Sequence, residues 1–173
     1  MKSIKLAIQR LTVLLLFILF TQCGSFRNFG TTTVLLLISE REEMSHMYEL
    51  IKEAELTDLL LSDTPHTFLI PTNAAFDNIQ PAIMEEFMPV GDDKSALQAF
   101  IKNHFLVDEY NFEALSDMYT AENMIGDALT LRNSVNGIMV NQALIIENDL
   151  FADNGTIHVL DQILLPTPGY LEK

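Results

Sequence analysis

The alternation of apolar and polar positions divides the chain into a helical first half and a strand-rich second half. Met44, Met47, Tyr48, Ile51 and Ala54 recur at three- and four-residue spacing, with Glu43, Glu49, Lys52 and Glu53 on the other side. That pattern predicts an amphipathic helix ending near Leu56. Leu59 to Leu61 continues apolar until Ser62-Asp63-Thr64-Pro65 breaks the run. Thr67 to Ile70 reads as a short buried strand closed by Pro71, and Thr72 or Asn73 as the N-cap of a turn carrying Ala74, Ala75 and Phe76. Pro81 suits the first turn of a helix through Met88. Asp92 and Asp93 precede a second amphipathic stretch, Ala96, Leu97, Phe100, Ile101 and His104. Beyond it, Ala128 to Leu131, Ile138 to Val140, Ala143 to Ile146, Thr156 to Leu160 and Ile163 to Leu165 have the length of short strands. Asn136-Gly137 and Asn154-Gly155 mark tight turns. Helices first and strands last, without an internal repeat, predict one α+β domain from about Val34 to Pro166, followed by a tail over 167–173.

The start of the chain has a different character. Lys2, Lys5 and Arg10 form a basic region, and Leu11 to Phe20 reads LTVLLLFILF. A membrane-spanning helix needs about 20 apolar residues. A run of this shorter length fits the core of an export signal over residues 1–23. The five-residue run Val34 to Ile38 is also too short to span. Thr21-Gln22-Cys23-Gly24 follows directly, and a lone cysteine there resembles a bacterial lipoprotein signal, in which Cys23 carries the lipid. Gln22 stands where such signals usually place Gly, Ala or Ser, and the alternatives are an uncleaved N-terminal anchor or ordinary cleavage that leaves a spare thiol. Residues 24–33 are small and polar and read as a tether.

Charge sharpens this division. Ten Lys and Arg face 24 Asp and Glu, a net charge of −14. With the three basic residues before Thr12 set aside, seven face 24, and the balance is −17. Such a body does not suit nucleic-acid binding, which rests on Lys and Arg displacing phosphate counterions. A hydrophobic content of 49% separates it from an acidic disordered tail. One cysteine excludes an intrachain disulfide and a zinc site built on cysteines.

No constellation of catalytic residues emerges. His104 falls on the apolar face with Phe100 and Ile101, as a hydrogen-bonded core histidine would. In TIHVL, alternation sets His158 with Thr156 and Leu160, opposite Ile157 and Val159, and turns Asp161 away from it. Glu43-x-x-His46 has the spacing of a carboxylate-bridged iron ligand but occurs once, which favours an exposed helix face. Glu147, Asp149 and Asp153 crowd before Asn154-Gly155. They read as a solvated acidic loop rather than a calcium loop, because their spacing differs from an EF-hand.

Three segments carry a family resemblance. Thr67 to Phe76 (TFLIPTNAAF), Leu97 to Val107 (LQAFIKNHFLV) and Asp149 to Pro166 (DLFADNGTIHVLDQILLP) resemble, in order and spacing, the motifs of a fasciclin (FAS1) domain. The resemblance implies a wedge-shaped β core flanked by helices, a role in extracellular or cell-surface adhesion and no catalytic activity, cofactor or metal. It implies structural roles for Pro71, Thr72, Asn73, Phe76, His104, Asn154, Gly155, His158 and Asp161. Some animal members bind integrins through an Asp-Ile pair just before the second histidine motif. Asp149-Leu150 stands there and is the candidate partner contact. The Tyr-His pair of other adhesive members is Asn103-His104 here. The expected function is a lipid-anchored binding module at the cell envelope, facing a protein or glycan partner. The alternatives are a hydrolase or metal enzyme using His104, His158 or the acidic loop, and a structural envelope protein.

Cells fed a tagged fatty acid should label the native protein and not Cys23→Ala. An unlabelled native protein would contradict the lipid anchor.

Overall fold

The apolar run after Pro65 forms a strand, β1 (His66–Pro71), in which every residue from Thr67 to Pro71 is buried. Its partner near the end of the domain, β7 (Gly155–Leu160), is buried throughout. The two run parallel, from His66 opposite Gly155 to Pro71 opposite Leu160. Strands covered on both faces read as near-continuous apolar runs, as these do.

The computed structural model describes residues 32–87 and 92–166. The remaining strands are β2 (Phe105–Leu106), β3 (Thr120–Glu122), β4 (Ala128–Ser134), β5 (Gly137–Val140) and β6 (Ala143–Ala152). The sheet order is β2-β1-β7-β6-β5-β4-β3. Its ends meet: Leu106 bridges Asn123, Val107 N–H donates to the Glu122 carbonyl at 3.1 Å, and Met124 N–H to that of Phe105 at 2.8 Å. The sheet therefore curls into a small barrel, which removes its open edges.

Alternation along β1 and β7 separates two cores. Leu69 and Leu160 point into the barrel with Leu129, Leu131, Ile138 and Val140. Phe68, Ile70, Ile157 and Val159 point outward, beneath the helices. Those helices are α1 (Val34–Ser39), α2 (Ser45–Glu53), α3 (Asn73–Asp77), α4 (Pro81–Glu85) and α5 (Ser95–Lys102). A sixth, α6 (Phe112–Ser116), packs Leu115 into the barrel core. The Val34 to Ile38 run is α1, capped by the Thr33 hydroxyl accepting from Leu36 N–H at 3.2 Å, with Val34 and Ile38 buried. The structure is a single α+β domain, a curled seven-stranded sheet flanked by helices, as the sequence pattern predicts.

Several boundaries differ from the pattern-based expectation. Ile163–Leu165 is not a strand, because the Leu164 N–H and C=O bond to side chains instead of a ladder. Both Asn-Gly turns are displaced by one residue. Val135-Asn136 and Asp153-Asn154 form the bends, and the glycines open the next strands, paired with Ser134 and Ala152. β6 extends to Ala152, so Glu147 and Asp149 lie in a strand rather than an acidic loop. The export signal, Cys23, residues 24–31 of the tether, Met88 and the 167–173 tail lie outside the described residues.

Gly155 shows how closely β1 and β7 approach. It has φ +150°. A Cβ there would run into the His66 carbonyl and stand 2.9 Å from Phe68 Cε2. Gly155→Ala should destabilise the domain by about 3 kcal/mol or more in urea unfolding. A loss below about 1 kcal/mol would show that the strand pair tolerates the methyl group.

Candidate functional site

His104 lies just past the end of α5 rather than on its helical face, in the turn that leads to β2. The ring is buried and bonded through both nitrogens. Nδ1 donates to the Phe100 carbonyl at 2.9 Å, and Nε2 accepts from Leu164 N–H at 3.0 Å. A carbonyl only accepts and an amide N–H only donates, so these partners fix a neutral ring protonated on Nδ1. Burial lowers its pKa to about 4 against a smaller upward pull from the Phe100 carbonyl. Beside it, Asn103 Nδ2 donates to the Leu164 carbonyl at 2.8 Å, and Asn103 Oδ1 accepts from Asn123 Nδ2 at 2.8 Å. Asn123 Oδ1 in turn accepts from the Ile125 and Asp127 amides. This buried chain holds Leu164 and the β2–β3 seam.

His158 is the mirror case. Nε2 donates to the Tyr110 carbonyl at 3.0 Å, and Nδ1 accepts from Asp149 N–H at 3.3 Å. These partners fix a neutral ring protonated on Nε2. Burial lowers its pKa, outweighing the Tyr110 carbonyl and the Asp149 carboxylate, which raise it. The ring thus joins β7 to a strap, residues 107–111, and to β6. β6 is irregular here, with register shifts between Ile145 and Leu150 and with Asp149 at φ +57°. The Asp149 carboxylate accepts from Phe112 N–H, the first amide of α6, at 2.8 Å. Thr67 fixes the strap further, donating to the Asp108 carbonyl at 2.9 Å and accepting from Tyr110 N–H at 2.7 Å.

The other motif residues also bridge segments. Pro71 ends β1, and Thr72 holds the N-cap position of α3. Asn73 reaches back to α2, which has no side-chain cap of its own. Its Oδ1 accepts from His46 N–H at 3.0 Å, and its Nδ2 donates to the Glu42 carbonyl and Ser45 Oγ. Phe76 is half-buried on the helix-side core, edge-on to His46. Buried Asn154 accepts from Val34 N–H and donates to the Leu60 and Ser62 carbonyls. Asp161 accepts from Leu144 N–H at 2.7 Å, turned away from His158. Leu150 is half-buried against the helix-side core.

The acids before Gly155 diverge. Glu147 pairs with Arg41 at 2.7 Å, Asp149 with the α6 amide, and Asp153 with Thr32 N–H at 2.9 Å. Glu43 also pairs with Arg41, apart from His46. Among the described residues no group of three or more His, Cys, Asp or Glu could hold a metal ion. On β6, Ile146 is 52% and Phe151 63% exposed. Phe151 walls a groove of about 320 Å³ with Glu109, Asn111, Ala114 and Thr156. Sequence reasoning missed Asn123, the strap and this groove. An exposed aromatic in a strand next to acids was the available signal.

Residues 42–166 match the family model described as the fasciclin domain. Protein sll1483 of Synechocystis is 30% identical over 134 residues, covering 78% of this chain and 73% of that protein. The pig transforming growth factor-beta-induced protein ig-h3 is 30% identical over 140 residues, 78% of this chain but 20% of that protein. A cell surface glycolipoprotein of Mycobacterium bovis, MPB83, is 26% identical over 63% of this chain and 49% of its own length. The FAS1 domain pair of the insect cell adhesion molecule fasciclin I superposes with a TM-score of 0.67 at 22% identity. That match covers 78% of this chain and 51% of that one, and it shows the fold.

The neutral imidazoles make stability depend on pH. A histidine whose folded pKa is depressed stabilises the fold above its unfolded pKa of about 6.5. That contribution is lost as pH falls towards about 4, and for His104 the loss is about 3 kcal/mol. His158 acts in the same direction. Urea midpoints should fall between pH 7 and pH 4.5, and the decline should be smaller in His104→Gln. Equal declines in both proteins would contradict the assignment.

Proposed function

Since the chain belongs to the fasciclin-domain family, we propose that it is an extracytoplasmic binding module, lipid-anchored through Cys23, that holds a protein or glycan partner at the cell envelope and is not itself an enzyme. The likeness to an insect cell adhesion molecule and to a mycobacterial cell surface glycolipoprotein supports adhesion and surface anchoring. The engagement of both imidazoles supports a non-catalytic reading, because every ring nitrogen of His104 and His158 is already spent on a backbone group.

The observation that carries the proposal is on β6. Its bulged stretch around Asp149 and Leu150 is held from within by His158, Phe112 and the helix-side core, while Ile146 and Phe151 stand out on either side. A rigid, irregular strand flanked by exposed apolar side chains suits a contact face, where a few anchored apolar residues supply most of the binding energy. The contact proposed here runs from Ile146 to Phe151 and includes the Asp149-Leu150 pair.

A partner retained from envelope extract by the native protein should bind the Ile146→Ser, Phe151→Ala double variant about tenfold more weakly. Both substitutions are at exposed sites, so thermal unfolding should barely change. Undiminished capture, or retention no greater than by an unrelated acidic protein, would contradict this face.

A further inference from the structure

The groove beside Phe151 has a chemistry of its own. One wall is the exposed Phe151 ring, and the others are Glu109, Asn111, Ala114 and Thr156. Glu109 is preset: its Oε1 accepts from the buried Thr156 hydroxyl at 3.0 Å. The strap bearing Glu109 is itself fixed by Thr67 and His158. A held carboxylate and an aromatic ring thus line one small groove on a rigid base.

The surrounding charge has one sign. Residues 103–131 and 133–166 contain no Lys or Arg, so the strap, α6, β6 and β7 bring acids and no cation to this side. The cations of the helical half are partly engaged elsewhere, with Arg41, Lys52 and Lys94 each paired with a glutamate. No side chain on these four elements can neutralise Glu109.

We propose that this groove receives an arginine side chain of the partner protein, its guanidinium stacked on the Phe151 ring and paired with the Glu109 carboxylate. Guanidinium is planar and weakly hydrated. It can stack on an aromatic face while donating to a carboxylate, and lysine's compact ammonium performs the two together less well. The inference rests on the β6 contact face proposed above and narrows it to a protein partner with an exposed arginine.

The probe is acetyl-Gly-Arg-Gly-amide, titrated into the isotope-labelled full chain in zwitterionic detergent and followed by NMR. The citrulline peptide, which keeps the shape without the charge, is the comparison. Shifts should concentrate on the Phe151 ring and on the Glu109, Asn111, Ala114 and Thr156 amides, and the citrulline peptide should give none. Glu109→Gln and Phe151→Leu should each weaken binding about fivefold, the first by removing charge and the second by removing the π face. Glu122→Gln should change it less than twofold, since Glu122 lies outside the groove. Shifts spread evenly over the acidic surface, equal effects of all three substitutions, or no binding would overturn the proposal. If the peptide fails while partner capture still depends on Ile146 and Phe151, the arginine assignment falls and the contact face stands. If capture is also insensitive, both fall.

Discussion

Backbone groups that leave a strand ladder yet stay buried must find partners, and in this fold side chains supply them. Two histidines and four asparagines carry much of that duty. His104 and Asn103 take the two polar groups of Leu164, His158 takes Asp149 and Tyr110, Asn123 closes its own turn, Asn73 starts α2, and Asn154 joins the α1 entry to the Leu60–Ser62 bend. Each bond is worth about 1 kcal/mol net, but a buried group left bare costs about 1–3 kcal/mol. Among the described residues no buried side-chain nitrogen or oxygen lacks a partner. The barrel, the strap and the irregular β6 all rest on this accounting.

The same accounting directs attention to the surface. The buried polar groups of both histidine motifs hold loops to strands. Around those clasps the surface carries the half-buried Leu150 and the exposed Ile146 and Phe151, on a chain with a net charge of −14. That net charge favours solubility and attracts basic groups at long range.

Much of the fold was legible where the information is local. Helical spacing located α2, and alternation in TIHVL separated His158 and Leu160 from Ile157 and Val159, as the two cores confirm. The motif segments around Pro71, His104 and Gly155 indicated the architecture. What stayed hidden is non-local. Ile163–Leu165 has strand composition, but its backbone is claimed by residues about 60 positions earlier. Glu147 and Asp149 looked like a solvated loop because their partners, Arg41 and Phe112, come from distant segments. Asn73 suggested a local turn and instead caps a helix 27 residues back. The groove at Phe151 needs the strap, α6 and two strands at once, which no window of sequence contains.

The central claim is that the two imidazoles are neutral clasps of opposite tautomer. Long-range proton–nitrogen NMR of the ring nitrogens at pH 7 tests it directly. His104 should show a protonated Nδ1 and a bare Nε2, and His158 a bare Nδ1 and a protonated Nε2, each as a single tautomer in slow exchange with solvent. Averaged nitrogen shifts in either ring, or titration near the free-histidine value, would contradict the account.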